Sequence, residues 1–208
     1  MKKALGTMIT NFELLQLNFI LYDQPKKMWE FYQQLKDIDT FKERQSQFNR
    51  MLENREKLKK RLDSWNLEEQ EEKMKKHHVY YVSFTSNEYP DSLKNIAYPP
   101  LILFYKGDET LLKGMCLGVV GSRRPSAYGV KVTKDLTHAL SVHFVIVSGL
   151  AMGIDTVSHR ACLQSKGSTV GVLATGLDQI YPKCNYSLYE AIYRKGCLVS
   201  EFHNNQHK

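Results

Sequence analysis

Three glycine-containing stretches in the second half of the chain carry the side chains best suited to chemistry. The first, Gly118-Val119-Val120-Gly121-Ser122-Arg123-Arg124-Pro125-Ser126, follows an apolar run and opens a helix. Gly121 lets the backbone turn without a Cβ clash, and Ser122 offers a hydroxyl. Arg123 adds a planar cation whose fork matches phosphate oxygens. The unpaired N–H groups of the following helix start favour the same kind of anion. The second, Ser148-Gly149-Leu150-Ala151-Met152-Gly153-Ile154-Asp155, repeats the arrangement, with Gly149 and Gly153 bracketing another helix start. The third, Ala174-Thr175-Gly176-Leu177-Asp178, leads into Tyr181-Pro182-Lys183-Cys184-Asn185. Each stretch joins a hydroxyl to a glycine: Gly121-Ser122, Ser148-Gly149 and Thr175-Gly176. Together they specify a pocket in which a phosphate lies against backbone, flanked by Arg123 and Lys183.

Other chemistries lack their residues. The first stretch is neither GxGxxG nor a Walker A loop, and no carboxylate stands where a dinucleotide ribose would need one. There are no paired catalytic carboxylates and no metal-ligand cluster, so neither a catalytic residue nor a cofactor is expected. Asp155 and His159 fall on one helical face. With no nucleophile beside them, Asp155 is expected to cap its helix and the pair to form a structural hydrogen bond. Cys116, Cys162, Cys184 and Cys197 include no CxxC pair. They read as reduced core or subsurface thiols.

The elements that must position these loops follow from the pattern. From residue 77 onward, short apolar runs alternate with helical stretches: strands at Leu117–Gly121, Phe144–Ser148, Thr169–Leu173 and Cys197–Ser200, with helices at Ser126–His143, Ile154–Ser165 and Ser187–Lys195. Val79–Phe84 and Leu101–Tyr105 precede them as further strands. Continuous apolar strands alternating with helices predict an α/β fold, a Rossmann-like, doubly wound, mostly parallel sheet covered on both faces. The regular series stops at Ser200, so the sheet is expected to end there on an exposed parallel edge.

Residues 1–76 have a different composition, with one Gly, one Pro and a density of Glu, Lys, Gln, Leu and Arg. Apolar positions such as Trp29, Tyr32, Leu35, Phe48, Leu52, Leu58, Leu62 and Trp65 recur at mostly helical spacing, and Thr40 with Glu43 forms a capping-box signature. A helical N-terminal domain (1–76) therefore precedes a Rossmann-like domain (77–208). Glu68–Lys76 reads as a solvated helical face or a linker. The net charge of +7 is shared, +3 in the first part and +4 in the second. Such a balance suits a nucleic-acid partner without proving one. Hydrophobic residues make up 42% of the chain and charged residues 25%. That composition excludes a wholly disordered chain. No apolar run is long enough for a transmembrane helix and no signal-peptide cleavage site follows the N-terminus, so a cytoplasmic protein is expected.

Over Tyr98–Phe202 the sequence resembles the DNA-processing protein A (DprA/Smf) family of bacteria. The pieces that carry the resemblance are Tyr98-Pro99-Pro100, Val119-Val120-Gly121-Ser122-Arg123, Ser148 to Asp155, His159-Arg160, Gly176-Leu177-Asp178, Tyr181-Pro182-Lys183-x-Asn185 and Ser200-Glu201-Phe202. The resemblance implies a non-enzymatic, single-stranded DNA-binding protein of natural transformation. Such a protein protects the strand, helps to load the recombinase RecA and acts alongside single-strand-binding protein. It places the family's DNA-contacting arginine and lysine on Arg123 and Lys183. The expected contact set is Gly121, Ser122, Arg123, Ser148, Gly149, Gly153, Thr175, Gly176, Lys183 and Asn185. The family continues past the Ser-Glu-Phe piece with elements that carry dimerisation and RecA contacts, so the second domain is expected to be incomplete at its C-terminus. Two alternatives fit the sequence as well: a nucleotide-binding Rossmann enzyme that hydrolyses nucleoside monophosphates, with Asp155 as its nearby candidate carboxylate, and a helical adaptor built on residues 1–76.

Overall fold

The computed structural model describes residues 8–203. Five helices come first: α1 (Asn11–Leu21), α2 (Pro25–Leu35), α3 (Phe41–Met51), α4 (Glu56–Asp63) and α5 (Leu67–Lys76). Thr10 caps α1 in a full capping box with Glu13, and Thr40 caps α3 by accepting from the Glu43 amide. In α2, Pro25 occupies the first turn, where its missing N–H costs nothing. Met28, Phe31, Tyr32 and Leu35 bury one stripe of that helix, as an amphipathic helix must. α1 has no such stripe: Leu14, Leu15, Leu17, Ile20 and Leu21 are buried around most of its circumference. It is the central helix of the group, and its lack of a polar face hides it from periodicity. Arg44 of α3 reaches α1 and clasps Glu13 with two parallel bonds, Nε–Oε1 at 2.6 Å and Nη2–Oε2 at 3.1 Å, while donating to the Ile38 carbonyl at 2.8 Å. The charge run at 68–76 is helix α5, pinned by buried Gln70 and Met74.

The sheet follows: β1 (Tyr80–Ser83), a short α6 (Asp91–Lys94), β2 (Ile102–Gly107), a 3-10 turn (Glu109–Lys113), β3 (Cys116–Gly118), α7 (Ala127–Leu140), β4 (Val145–Ser148), α8 (Ile154–Gln164), β5 (Thr169–Leu173), a 3-10 turn (Lys183–Asn185), α9 (Tyr186–Lys195) and β6 (Cys197–Ser200). The strand order is β1-β2-β6-β5-β4-β3. The pairs among β3, β4, β5 and β6 are parallel, and β1–β2 and β2–β6 are antiparallel. The mostly parallel, Rossmann-like α/β sheet agrees with the sequence pattern.

Two features of the sheet differ from that pattern. β6 is not an edge. The antiparallel β2 pairs with its free side, Phe104 opposite Ser200 and Gly107 opposite Cys197, so the exposed parallel edge is β3. The helices α7, α8 and α9 also share one face. Consecutive strands β3 to β6 advance in a single direction, and right-handed crossovers then place every connecting helix on the same side. On that side Leu150, Leu173, Tyr189, Ile192 and Leu198 join one continuous core with Leu14, Leu17 and Phe31 of the N-terminal helices. The helical part and the sheet thus share a core across the composition change at residue 76. On the opposite face Val82, Leu103, Val170, Cys197 and Val199 form a second, smaller core with Tyr89 and Leu112. An apolar groove of about 200 Å³ runs over Leu103, Val170 and Val199 and out along Val147 and Val172.

Among the cysteines, Cys162 and Cys197 are buried, and burial pushes their thiols up to about 11 and about 12. Cys116 and Cys184 are exposed.

Candidate functional site

The loops after β3, β4 and β5 meet at the carboxyl ends of the parallel strands, where an open α/β sheet presents its ligand crevice. Beyond β3 the pairing with β4 continues through the Val119 amide to the Val147 carbonyl at 2.9 Å, and the Ser148 hydroxyl donates to the Val119 carbonyl at 2.6 Å. The Ile154 amide, in the first turn of α8, donates to the Ser122 carbonyl at 3.1 Å. The first loop is therefore held on the start of α8. Gly153 makes this possible: its φ is +85°, and a Cβ there would lie 2.2 Å from the Ser122 carbonyl oxygen. Only a residue without a side chain takes that conformation at no steric cost. The Ser122 hydroxyl accepts the Arg124 amide at 3.0 Å, which shapes the turn that presents Arg123.

Inside this frame is a cavity of about 120 Å³ lined by Arg123, Gly149, Ala151, Met152, Leu173, Ala174, Thr175, Tyr181 and Pro182. Of the ten residues anticipated from the sequence, Arg123, Gly149 and Thr175 line it directly. Gly121, Ser122 and Gly153 build the loop contact behind Arg123. Ser148, Gly176 and Asn185 are buried. Asn185 donates both to the Leu150 carbonyl at 2.9 Å and to the Thr156 hydroxyl at 2.8 Å, so its amide braces the second loop. Lys183 is exposed and lies outside the cavity lining, two residues beyond Tyr181.

Two rim residues are not singled out by the sequence alone: Tyr181 and Met152, which are 67% and 51% exposed. The Tyr-Pro-Lys piece draws attention to its lysine, although an aromatic beside a phosphate pocket is the signal of a stacking surface. The Ser200-Glu201-Phe202 piece also acquires a role. The Ser200 hydroxyl donates to the Thr175 carbonyl at 2.8 Å and accepts the Phe202 amide at 3.0 Å, fixing the third loop from behind. Glu201 in turn offers its carbonyl to Asn18 of α1 at 3.3 Å.

The expected Asp155–His159 hydrogen bond is absent. His159 Nδ1 lies 2.7 Å from the Thr169 hydroxyl, which itself donates to the Ile146 carbonyl at 2.7 Å. With that hydroxyl proton already committed, Nδ1 carries the proton in the histidine contact. Burial pushes His159 down to about 4 against the opposing pull of the Ser148 backbone. Asp155 accepts the Ala151 amide at 3.4 Å within its own loop, and Gly153, not Asp155, occupies the N-cap position of α8. The i and i+4 positions diverge because His159 faces the sheet while Asp155 faces the loop.

Residues 80–208 match the family described as DNA recombination-mediator protein A. The chain belongs to this family. DNA processing protein DprA of Bacillus subtilis is 47% identical over 122 residues, which are 58% of this chain and 41% of that protein. DprA of Streptococcus pneumoniae is 46% identical over 114 residues, 55% of this chain and 40% of that protein. The aligned part thus spans less than half the length of these DprA relatives. The X-ray structure of the Streptococcus pneumoniae DprA superposes with a TM-score of 0.77 at 32% identity, covering 97% of this chain and 70% of that one. DprA from Helicobacter pylori, whose structure is described as having a unique single-stranded DNA binding mode, superposes with a TM-score of 0.55 at 29% identity, covering 62% of this chain and 59% of that one. All three site loops fall inside the DprA family match. The five N-terminal helices lie outside it, and the coverage of the pneumococcal superposition extends to them.

Proposed function

We propose that this protein binds single-stranded DNA at the carboxyl ends of β3, β4 and β5 without altering it chemically. The observation that carries the reading is the cavity that Arg123 and Tyr181 line together, between glycine-bearing loops. A phosphate meets the guanidinium and the backbone of Gly149, and a neighbouring base stacks on Tyr181. Lys183 adds a second cation along the strand's path. The single-stranded DNA binding described for the Helicobacter pylori relative supports the same assignment.

Within this reading the protein acts in the cytoplasm during DNA uptake and transformation, protecting the incoming strand and helping RecA to load beside single-strand-binding protein. No helix among the described residues is long and apolar enough to cross a membrane. Asp155, the carboxylate of the second loop, is buried and engaged by the Ala151 amide, which favours binding over hydrolysis.

The test is fluorescence anisotropy with labelled oligo-dT over a salt series, with duplex DNA as control. The expected log–log salt slope is about −2 to −4, from about −0.7 per phosphate neutralised on a single strand. Affinity independent of salt, or equal for the duplex, would overturn the assignment. Release of free base from nucleoside monophosphates would overturn its non-enzymatic part, and RecA filament formation on coated DNA tests the loading step.

A further inference from the structure

We propose that the free edge of β1 is a second docking site, which takes an extended acidic peptide of a partner protein as an added strand. Among the described residues β1 ends the sheet and pairs only with β2. The Phe84 amide donates to the Leu101 carbonyl at 2.9 Å, and this bond sets the alternation along the pair. In the register that places Val82 opposite Leu103 and Tyr80 opposite Tyr105, these two are the hydrogen-bonded pairs; Tyr81 turns its N–H and C=O outward and Ser83 its N–H, while the Ser83 carbonyl accepts the Ser86 amide at 2.9 Å and closes the strand in a turn. Those groups are the template an added strand requires.

A groove follows the edge. Two adjoining cavities, of about 620 and about 150 Å³, meet at Tyr81 and Tyr105. Tyr80, 57% exposed, lies against Tyr105 with ring centroids 5.7 Å apart and forms an aromatic shelf for an incoming side chain. Charge selects the peptide. Lys75 and His78 line the larger cavity, Lys76 and His77 share the same turn, and Glu71 is the one acid in that lining. Two acids line the smaller cavity, Glu88, which Lys113 holds at 2.7 Å, and Glu109, so the basic end of the groove is the one beside α5. A segment with acidic residues toward α5 and alternating apolar residues along β1 satisfies both the backbone and the charges. A nucleic-acid strand would use the tyrosines and leave the outward amides of Tyr81 and Ser83 unused.

The experiment uses the whole chain and a fluorescein-labelled Asp-Glu-Val-Thr-Val-Phe peptide. A dissociation constant of about 10–100 µM is expected, a free energy of about −5.5 to −7 kcal/mol. Changing the first two peptide residues to lysine, or making Lys75→Glu with His78→Glu in the protein, should weaken it at least tenfold, a change of about 1.4 kcal/mol or more. N-methylation of alternate peptide amides should abolish binding, and this arm leaves the protein's fold untouched. Excess oligo-dT should not displace the peptide. No binding at millimolar peptide, indifference to N-methylation, or displacement by oligo-dT would each overturn the proposal. Because oligo-dT binding is read separately, failure here is distinct from failure of the DNA site.

Discussion

Gly153 and Ser122 are locked together: the positive φ of Gly153 lets α8 begin directly beneath the Ser122 carbonyl, which accepts the Ile154 amide at 3.1 Å. Any Cβ at residue 153 would sit 2.2 Å from that oxygen and 2.7 Å from the Arg123 carbonyl carbon. Gly153→Ala should therefore shift the Arg123 loop as well as strain the backbone. The expected cost is about 1–3 kcal/mol of stability from the backbone alone, with oligo-dT affinity falling further than the loss of folded protein accounts for. Urea denaturation alongside anisotropy separates the two effects.

Arg123 should matter more than Arg124 for binding. Arg123 lines the cavity, whereas Arg124 is exposed, lies outside the lining and gives its amide to the Ser122 hydroxyl. A charge-assisted hydrogen bond to phosphate contributes about 1.5–3 kcal/mol, so Arg123→Ala should weaken oligo-dT binding by roughly one to two orders of magnitude. Arg124→Ala should change it little. Equal losses from the two substitutions would mean that the loop acts as a diffuse basic patch.

Tyr181 is expected to contribute through its ring. Removal of a base-stacking aromatic costs about 1–3 kcal/mol, so Tyr181→Ala should reduce affinity about 5- to 150-fold and Tyr181→Phe should restore most of it. The salt slope distinguishes this from the arginine. It should be unchanged in Tyr181→Ala and shallower by about 0.7 in Arg123→Ala.

Stability should decline on acidification through His159. Its pKa is about 4 when folded against the ordinary 6.5, so between these values the unfolded chain binds a proton that the native state refuses. The native state is then unpenalised above pH 6.5 and loses stability as pH falls from 6.5 to 4. The total is on the order of 3 kcal/mol. Denaturation midpoints at pH 7, 5.5 and 4.5 should fall less steeply in His159→Gln than in the parent chain. Parallel declines would exclude His159 as the origin.

The open sheet face should drive self-association. Val172 is 43% exposed beside the apolar groove. It belongs to a parallel sheet of the kind normally covered on both sides. Light scattering should show concentration-dependent association that Val172→Lys reduces, with the melting transition of the monomer changed by less than about 0.5 kcal/mol. A monodisperse parent chain would show that the groove is not adhesive.

Much of this protein is written locally in its sequence. β5 and β6 occupy the residues that the apolar runs predict, and α7, α8 and α9 lie within a few residues of their helical patterns. Propensity, burial period and glycine punctuation agree there. The three loops are legible for the same reason, since Gly121, Gly149 and Gly153 mark sharp turns after strands. Periodicity misses α1, whose burial on most sides leaves no polar face to read. Tertiary structure alone decided the rest. Which edge β2 joins is a long-range choice, and it turned β6 from an expected edge into an interior strand. The direction in which the strands advance placed all three crossover helices on one face. Within the site, residues with similar local signals took different parts. Asn185 and Ser148 are consumed by internal hydrogen bonds and Lys183 lies outside the cavity, whereas Tyr181 stands at its rim. Local sequence fixes turns and periods; the orientation of a side chain depends on the neighbours that arrive from distant strands.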